Sequence, residues 1–235
     1  MPRPVRHLAR LAAPVLLLAL AAGPAWAHGV ADKDAAFIEA NPGPQVLAFL
    51  YLGAKHMVTG YDHLLFLAGV IFFLHRLSSV ALYVTMFSIG HSLTLLAGVL
   101  GGLHVDAFLV DAVIGLSVAW KALDNLGAFR TWFGVQPDNR AVVLGFGLVH
   151  GFGLATKLQD LRLSTDGLLA NLVAFNVGVE AGQILALALI LVAMAWWRAS
   201  AGFARQAVAA NLLLMAAGFV LFGQQMAGFV LERAA

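Results

Sequence analysis

The chain has 235 residues, of which 61% are hydrophobic and only 11% charged, with a formal charge of +2 and a mean hydropathy of +0.88. A soluble domain has charges at about a quarter of its positions, so this balance excludes an ordinary soluble fold. The absence of cysteine excludes disulfides, thiolate metal sites and cysteine nucleophiles, and the basic residues form no stripe of the kind that binds nucleic acid.

Residues 1–27 read as a signal peptide. Arg3, Arg6 and Arg10 supply the positive start, residues 11–22 the apolar middle, and Ala25-Trp26-Ala27 the small-x-small cleavage site before His28. The alternative is an uncleaved first membrane helix, for which this apolar run is short. Cleavage leaves His28-Gly29 outside the cytoplasm, where an amine and an imidazole could serve a metal or simply face water.

Residues 28–44 form a polar periplasmic N-terminal segment, with Asp32, Lys33, Asp34 and Glu39 ahead of the turn-forming Asn41-Pro42-Gly43-Pro44. Residues 45–235 form the transmembrane domain, and the fold class is all-α: a polytopic membrane bundle of about six transmembrane helices. An amphipathic or interfacial helix is expected near 45–58, then spans near 60–75, 79–100, 106–126, 141–158, 168–197 and 207–231. Gly60 either breaks the first pair or lies within one long tilted helix over 45–75.

With the mature N-terminus outside, the loops holding Arg76, Arg130, Arg140, Arg198 and Arg205 fall on the cytoplasmic side, and those holding Lys157 and Arg162 on the outer side. The positive-inside rule agrees with this multi-pass orientation in a bacterial inner membrane. The chain also echoes itself. Phe87-x3-His91 aligns with Phe146-x3-His150, and at the same offset Ser117, Lys121 and Asp124 fall on Asn176, Glu180 and Gln183. Matching orientation of the two helix pairs is the pattern of a parallel repeat.

An ionisable side chain at the bilayer centre costs about 2.5–3.5 kcal/mol on insertion scales, so each one calls for a partner or a purpose. The first cluster is His56, Asp62 and His63. Two imidazoles and a carboxylate are borderline ligands suited to nickel, zinc, cobalt or copper(II). The structural alternative is an interfacial pair, with Asp62 capping a helix that starts near His63.

A deeper set follows: His91, His150 and the stripe Asn176, Glu180, Gln183, spaced i, i+4 and i+7. Gly145, Gly147, Gly151 and Gly153 around His150 permit close helix approach. These residues read either as a second ligand set or proton relay, or as hydrogen-bonded packing groups. Lys121 and Asp124, three apart, read as an intrahelical ion pair. His75 and His104 fall in loops and carry no assignment.

The run His56-x5-Asp62-His63-Leu64-Leu65-Phe66 resembles the first membrane signature of the HupE/UreJ proteins. So do Gly90-His91-Ser92-Leu93-Thr94-Leu95, Val149-His150-Gly151-Phe152-Gly153 and Phe175-Asn176-x3-Glu180-x2-Gln183. The match runs from Lys55 to Leu187 and is most similar to the second branch, with the Asp-His-Leu-Leu-Phe form. Nickel-permease members tend to carry further histidines near their motifs, whereas Phe152 and Gly153 follow His150 here.

The resemblance implies a hydrogenase or urease accessory protein that passes nickel across the inner membrane and works with metalloenzyme maturation proteins. It makes His56, Asp62, His63, His91, His150 and Glu180 the metal-path residues, with Asn176 and Gln183 in support.

Three functional readings stand on these residues. In the leading one, a permease or metal-delivery protein, the ion passes from His56, Asp62 and His63 at the outer mouth to His91, His150 and Glu180 near the midplane. No nucleotide-binding loop is present to drive it. The second is an intramembrane metal-dependent hydrolase with Glu180 as general base. It predicts three tight ligands and an open position, whereas a permease predicts ligands spread along a path. The third is a structural assembly factor whose polar residues only join helices.

Overall fold

The computed structural model describes residues 32–160 and 163–234, so the signal-peptide reading, His28 and Arg162 lie outside the described residues. Within them every regular element is helical: α1 (Asp32–Ala40), α2 (Val46–Thr59), α3 (Tyr61–Ile71), α4 (Leu77–Gly101), α5 (Ala107–Asn125), α6 (Ala128–Phe133), α7 (Asn139–Gln159), α8 (Leu168–Arg198) and α9 (Phe203–Ala234). Four of these, α4, α7, α8 and α9, are long and apolar enough to cross a membrane. The outward faces of α4 and α8 are strongly apolar, with Ile89, Leu93, Ile184, Leu189, Val192 and Trp196 exposed. An apolar surface of that extent is stable against lipid rather than water.

The fold is therefore a helical membrane bundle, and its details correct the sequence reading at several points. The expected span 60–75 ends at Ile71, because Arg198 on α8 donates to the carbonyls of Ile71, Phe72 and Leu74 and holds the chain in a turn there. The helix expected at 106–126 is present as α5, 19 residues long and carrying Asp111, Lys121 and Asp124. Two short helices lie outside the expected spans, α1 in the polar segment 28–44 and α6 between the spans 106–126 and 141–158.

Gly60 does break the chain. Its backbone is extended (φ −72°, ψ 95°), so α2 and α3 are two short helices rather than one long one. At 1.5 Å per residue, α2 spans about two thirds of a bilayer's apolar thickness and α3 about half, so neither crosses it alone.

Three helix pairs dominate the packing: α4 with α7, α2 with α8, and α5 with α9. Each is drawn together by glycine. A Cβ at Gly53 would lie 2.0 Å from the Phe175 carbonyl oxygen, and one at Gly178 would lie 2.0 Å from that of Leu50. Gly147 meets the Phe87 carbonyl in the same way, and Gly218 meets the Ala119 amide. No side chain fits in such seams, and small residues at i and i+4 are what allow them.

The order of contacts gives the directions. Residues 50 and 54 face 178 and 182, and residues 87 and 91 face 147 and 151, so those two pairs run parallel. Residues 108, 115 and 119 face 228, 222 and 218, so α5 and α9 run antiparallel.

The echo between Phe87/His91 and Phe146/His150 thus joins two parallel helices in direct contact. The helices that follow them pack on different partners, α5 antiparallel on α9 and α8 parallel on α2. One end of the bundle is closed by a polar set in which Asn125 donates to the Gly69 carbonyl (2.9 Å) and to Asn211 (2.9 Å). The expected Lys121–Asp124 ion pair forms beside it. At the other end Asn171 binds the α1–α2 linker, accepting from the Gln45 amide (2.7 Å) and donating to the Gly43 carbonyl (3.0 Å).

Candidate metal centre

The break at Gly60 places His56 in the last turn of α2 and Asp62 and His63 in the first turn of α3. The helix is not continuous, yet the two imidazoles still meet, their ring centroids 5.0 Å apart. Gly60 is required by space rather than by conformation. A Cβ there would lie 2.8 Å from His63 Nδ1 and 3.2 Å from Asp62 Oδ1. Asp62 at a helix N-terminus also sits where the helix dipole favours a negative charge.

α4 brings His91 to the same point and α7 brings His150. The α4–α7 seam sets their depth: a Cβ on Gly151 would lie 2.2 Å from the His91 carbonyl oxygen and 2.2 Å from Thr94 Oγ1. One donor atom from each of His56, His63 and His91 lies within 4.8 Å of the others. The ring of His150 is 5.1 Å from that of His63, and the ring of His91 is 6.2 Å from it. Phe87 packs against three of these imidazoles, and Phe66 and Phe175 close the remaining sides. Histidines read from sequence as an outer pair and a deeper pair therefore form one cluster, with His63, His91 and His150 buried and His56 partly so.

Two of the rings are held in a definite tautomer. His63 Nδ1 lies 3.0 Å from Asp62 Oδ1, an acceptor, so Nδ1 carries the proton and Nε2 the lone pair. His150 Nδ1 lies 2.7 Å from the Phe146 carbonyl oxygen, with the same consequence. A carboxylate or carbonyl behind an imidazole is the usual support of a metal-ligating histidine. Asp62 thus stands behind His63, where it orients the ring.

His91 is 0% exposed, and neither ring nitrogen has a hydrogen-bond partner among the described residues. Leaving a buried polar group unmatched costs about 1–3 kcal/mol. Neutral nitrogen donors with an adjacent carboxylate fit a borderline divalent ion, which supplies what such lone pairs lack.

Glu180 is not brought into this cluster. It is exposed and lines a lateral cleft of about 580 Å³ between α4 and α8, with Val84, Thr85, Ser88, Gln183 and Ile184. Gln183 is fully buried at the cleft's inner wall, where its Oε1 accepts from Ser88 Oγ (2.7 Å) and ties α8 to α4. Asn176 turns back on its own helix, donating to the Leu172 carbonyl (3.0 Å).

One pair was missed in the sequence. Lys157, expected in an outer loop, lies in the last turn of α7 and pairs with Asp111 of α5 at 2.7 Å. The available signal was its position seven residues after His150, which puts both on one helix face.

The comparisons fit this architecture. The family model described as HupE / UreJ protein matches residues 32–233. No curated protein and no solved structure matches the chain. With a matched region covering the whole described bundle, the chain belongs to the HupE/UreJ protein family.

Proposed function

We propose that this protein is a multi-pass inner-membrane permease or delivery protein for a divalent transition metal, nickel first among the candidates, that serves metalloenzyme maturation. The observation that carries the reading is the meeting of His56, His63 and His91 donor atoms within 4.8 Å inside a membrane bundle. The ion is bound by these three imidazoles with His150 at hand, and Asp62 acts through His63. Glu180 stands outside the binding set. Counting α2 and α3 together as one broken span gives six crossings, and the parallel and antiparallel helix contacts fit that alternation. Arg76, Arg130, Arg140, Arg198 and Arg205 then face the cytoplasm, and the mature N-terminus faces the periplasm.

A half-helix break at mid-depth is the device by which transporters place ligands and helix ends around an ion. Ligands must be deprotonated to bind, so uptake and release are linked to protons. A hydrolase is the second reading, and the compactness of the cluster favours it, since three converging imidazoles can also hold a catalytic ion. The position of Glu180 counts against it, because the candidate general base lines a separate cleft.

The test is metal content by mass spectrometry of the purified protein after loading, beside His63→Ala and His91→Ala, followed by flux into vesicles. Stoichiometric nickel, lost in both variants while helicity is kept, together with wild-type flux, is the expected result. Wild-type protein without bound metal, or variants that retain it, would remove the proposal.

A further inference from the structure

The buried pair Asp111–Lys157 has no part in the site just described, and its placement bears on access to that site. Asp111 is 7% exposed and lies in the second turn of α5, while Lys157 projects from the last turn of α7. On α7, His150, Gly153 and Lys157 follow one another along a single face. Gly153 leaves room for the carboxylate, since a Cβ there would lie 3.4 Å from Asp111 Oδ1. Along α7 the Lys157 backbone is therefore about 10 Å from His150, and the Asp111 carboxylate, level with Gly153, about half that, on the side of the bundle where α5 begins and α7 ends.

The backbone frame around it is fixed. Thr156 both donates to the Val105 carbonyl (3.0 Å) and accepts from its amide (3.3 Å), and Gln159 donates to the Leu103 carbonyl (3.0 Å). A buried ion pair is also a poor device for stability, because desolvation offsets most of its attraction.

We propose that Asp111 and Lys157 form a charge-exchange gate on the approach to the histidine cluster. The inference rests on the metal-binding reading above. Asp111 is a buried carboxylate between that bundle end and the imidazoles, and Lys157 is a built-in cation paired with it at rest. A divalent ion competes for the carboxylate with twice the charge of the ammonium and displaces it toward the bundle end. A monovalent ion offers no such advantage and is held out by the lysine charge. The pair thus selects by charge, while the imidazoles select by ligand chemistry.

Full-length protein in detergent, Ni²⁺ as the probe, stopped-flow association at low and high NaCl, and stoichiometry by mass spectrometry provide the test. Lys157→Met removes the ammonium from beside the carboxylate and raises the association rate about tenfold at low salt, as removal of a local repulsive charge does. High NaCl abolishes that gain, and stoichiometry is unchanged. Asp111→Asn slows association by about the same factor. Should this single change compromise folding by orphaning the ammonium, the double variant D111N/K157M carries no uncompensated charge and associates more slowly than wild type.

Folded variants with wild-type rates and salt dependence overturn the gate while leaving the histidine site in place. Wild-type protein that takes up no Ni²⁺ overturns the histidine site and the gate together.

Discussion

His63 and Asp62, neighbours in sequence, also face each other through their side chains, with Nδ1 3.0 Å from Oδ1. The same oxygen accepts from the His63 backbone amide at 2.8 Å, so the carboxylate fixes both the ring and the first turn of α3. Asp62→Ala is expected to weaken metal binding by about 10–100-fold while leaving the number of sites unchanged. Asp62→Asn keeps an oxygen acceptor without the charge and should fall between the two. Titration calorimetry reads this directly; an unaltered affinity in Asp62→Ala would show that the carboxylate does not orient the ring.

Gly151 and Gly145 lie on the same helix and offer a matched pair. Alanine at Gly151 places its methyl 2.2 Å from the His91 carbonyl, whereas a Cβ at Gly145 has nothing within 4 Å. Gly151→Ala should cost about 1–3 kcal/mol through overpacking and lower bound metal by displacing His91. Gly145→Ala should leave both unchanged. Thermal unfolding in detergent, with metal content of the same samples, separates the two; equal behaviour of both variants counts against the seam as the element that sets His91.

Glu180 lines the lateral cleft rather than the imidazole cluster. Glu180→Gln is accordingly expected to keep wild-type metal stoichiometry, and any effect should fall on flux alone. Loss of bound metal from a folded Glu180→Gln protein would place the carboxylate among the ligands after all.

Arg198 closes the end of α3 by donating to three carbonyls, those of Ile71, Phe72 and Leu74. Lysine has a single point charge in place of the planar fork and cannot hold all three. Arg198→Lys should destabilise the bundle by about 1–2 kcal/mol, and Arg198→Met by more, given that charged hydrogen bonds contribute roughly 1.5–3 kcal/mol each before solvent exposure weakens them. Thermal melts of the two variants check the ranking; a methionine variant as stable as wild type removes the clasp from the account.

Much of this architecture was legible because a bilayer limits what a chain can do. Long apolar runs, short loops and glycine at i, i+4 led from sequence to α4, α7, α8 and α9 within a few residues. The histidines were legible as candidates for the same reason, since polar groups at such depth stand out. Their convergence was not. Spacing along one helix can align His56 with His63, but only the packing of α4 on α7, and of both against the α2–α3 break, decides that His91 and His150 arrive at the same depth.

Glu180 shows the opposite failure. Its i, i+4 relation to Asn176 suggested one inward stripe, yet the stripe straddles an edge of α8. Asn176 and Gln183 turn inward there and Glu180 faces the cleft. Lys157 escaped notice because its partner, Asp111, comes from another helix.

The glycine seams divide the cluster among separate bodies. His56 rides on the α2–α8 unit, His91 and His150 on the α4–α7 unit, and His63 on α3, which packs chiefly against α5. Each seam is too tight to slide, so relative motion is confined to the joints between units. A cation shared by these imidazoles would act as a rivet through all three. Its departure would let the units part without unzipping any of them, giving the protein a moving mechanism assembled from rigid pieces.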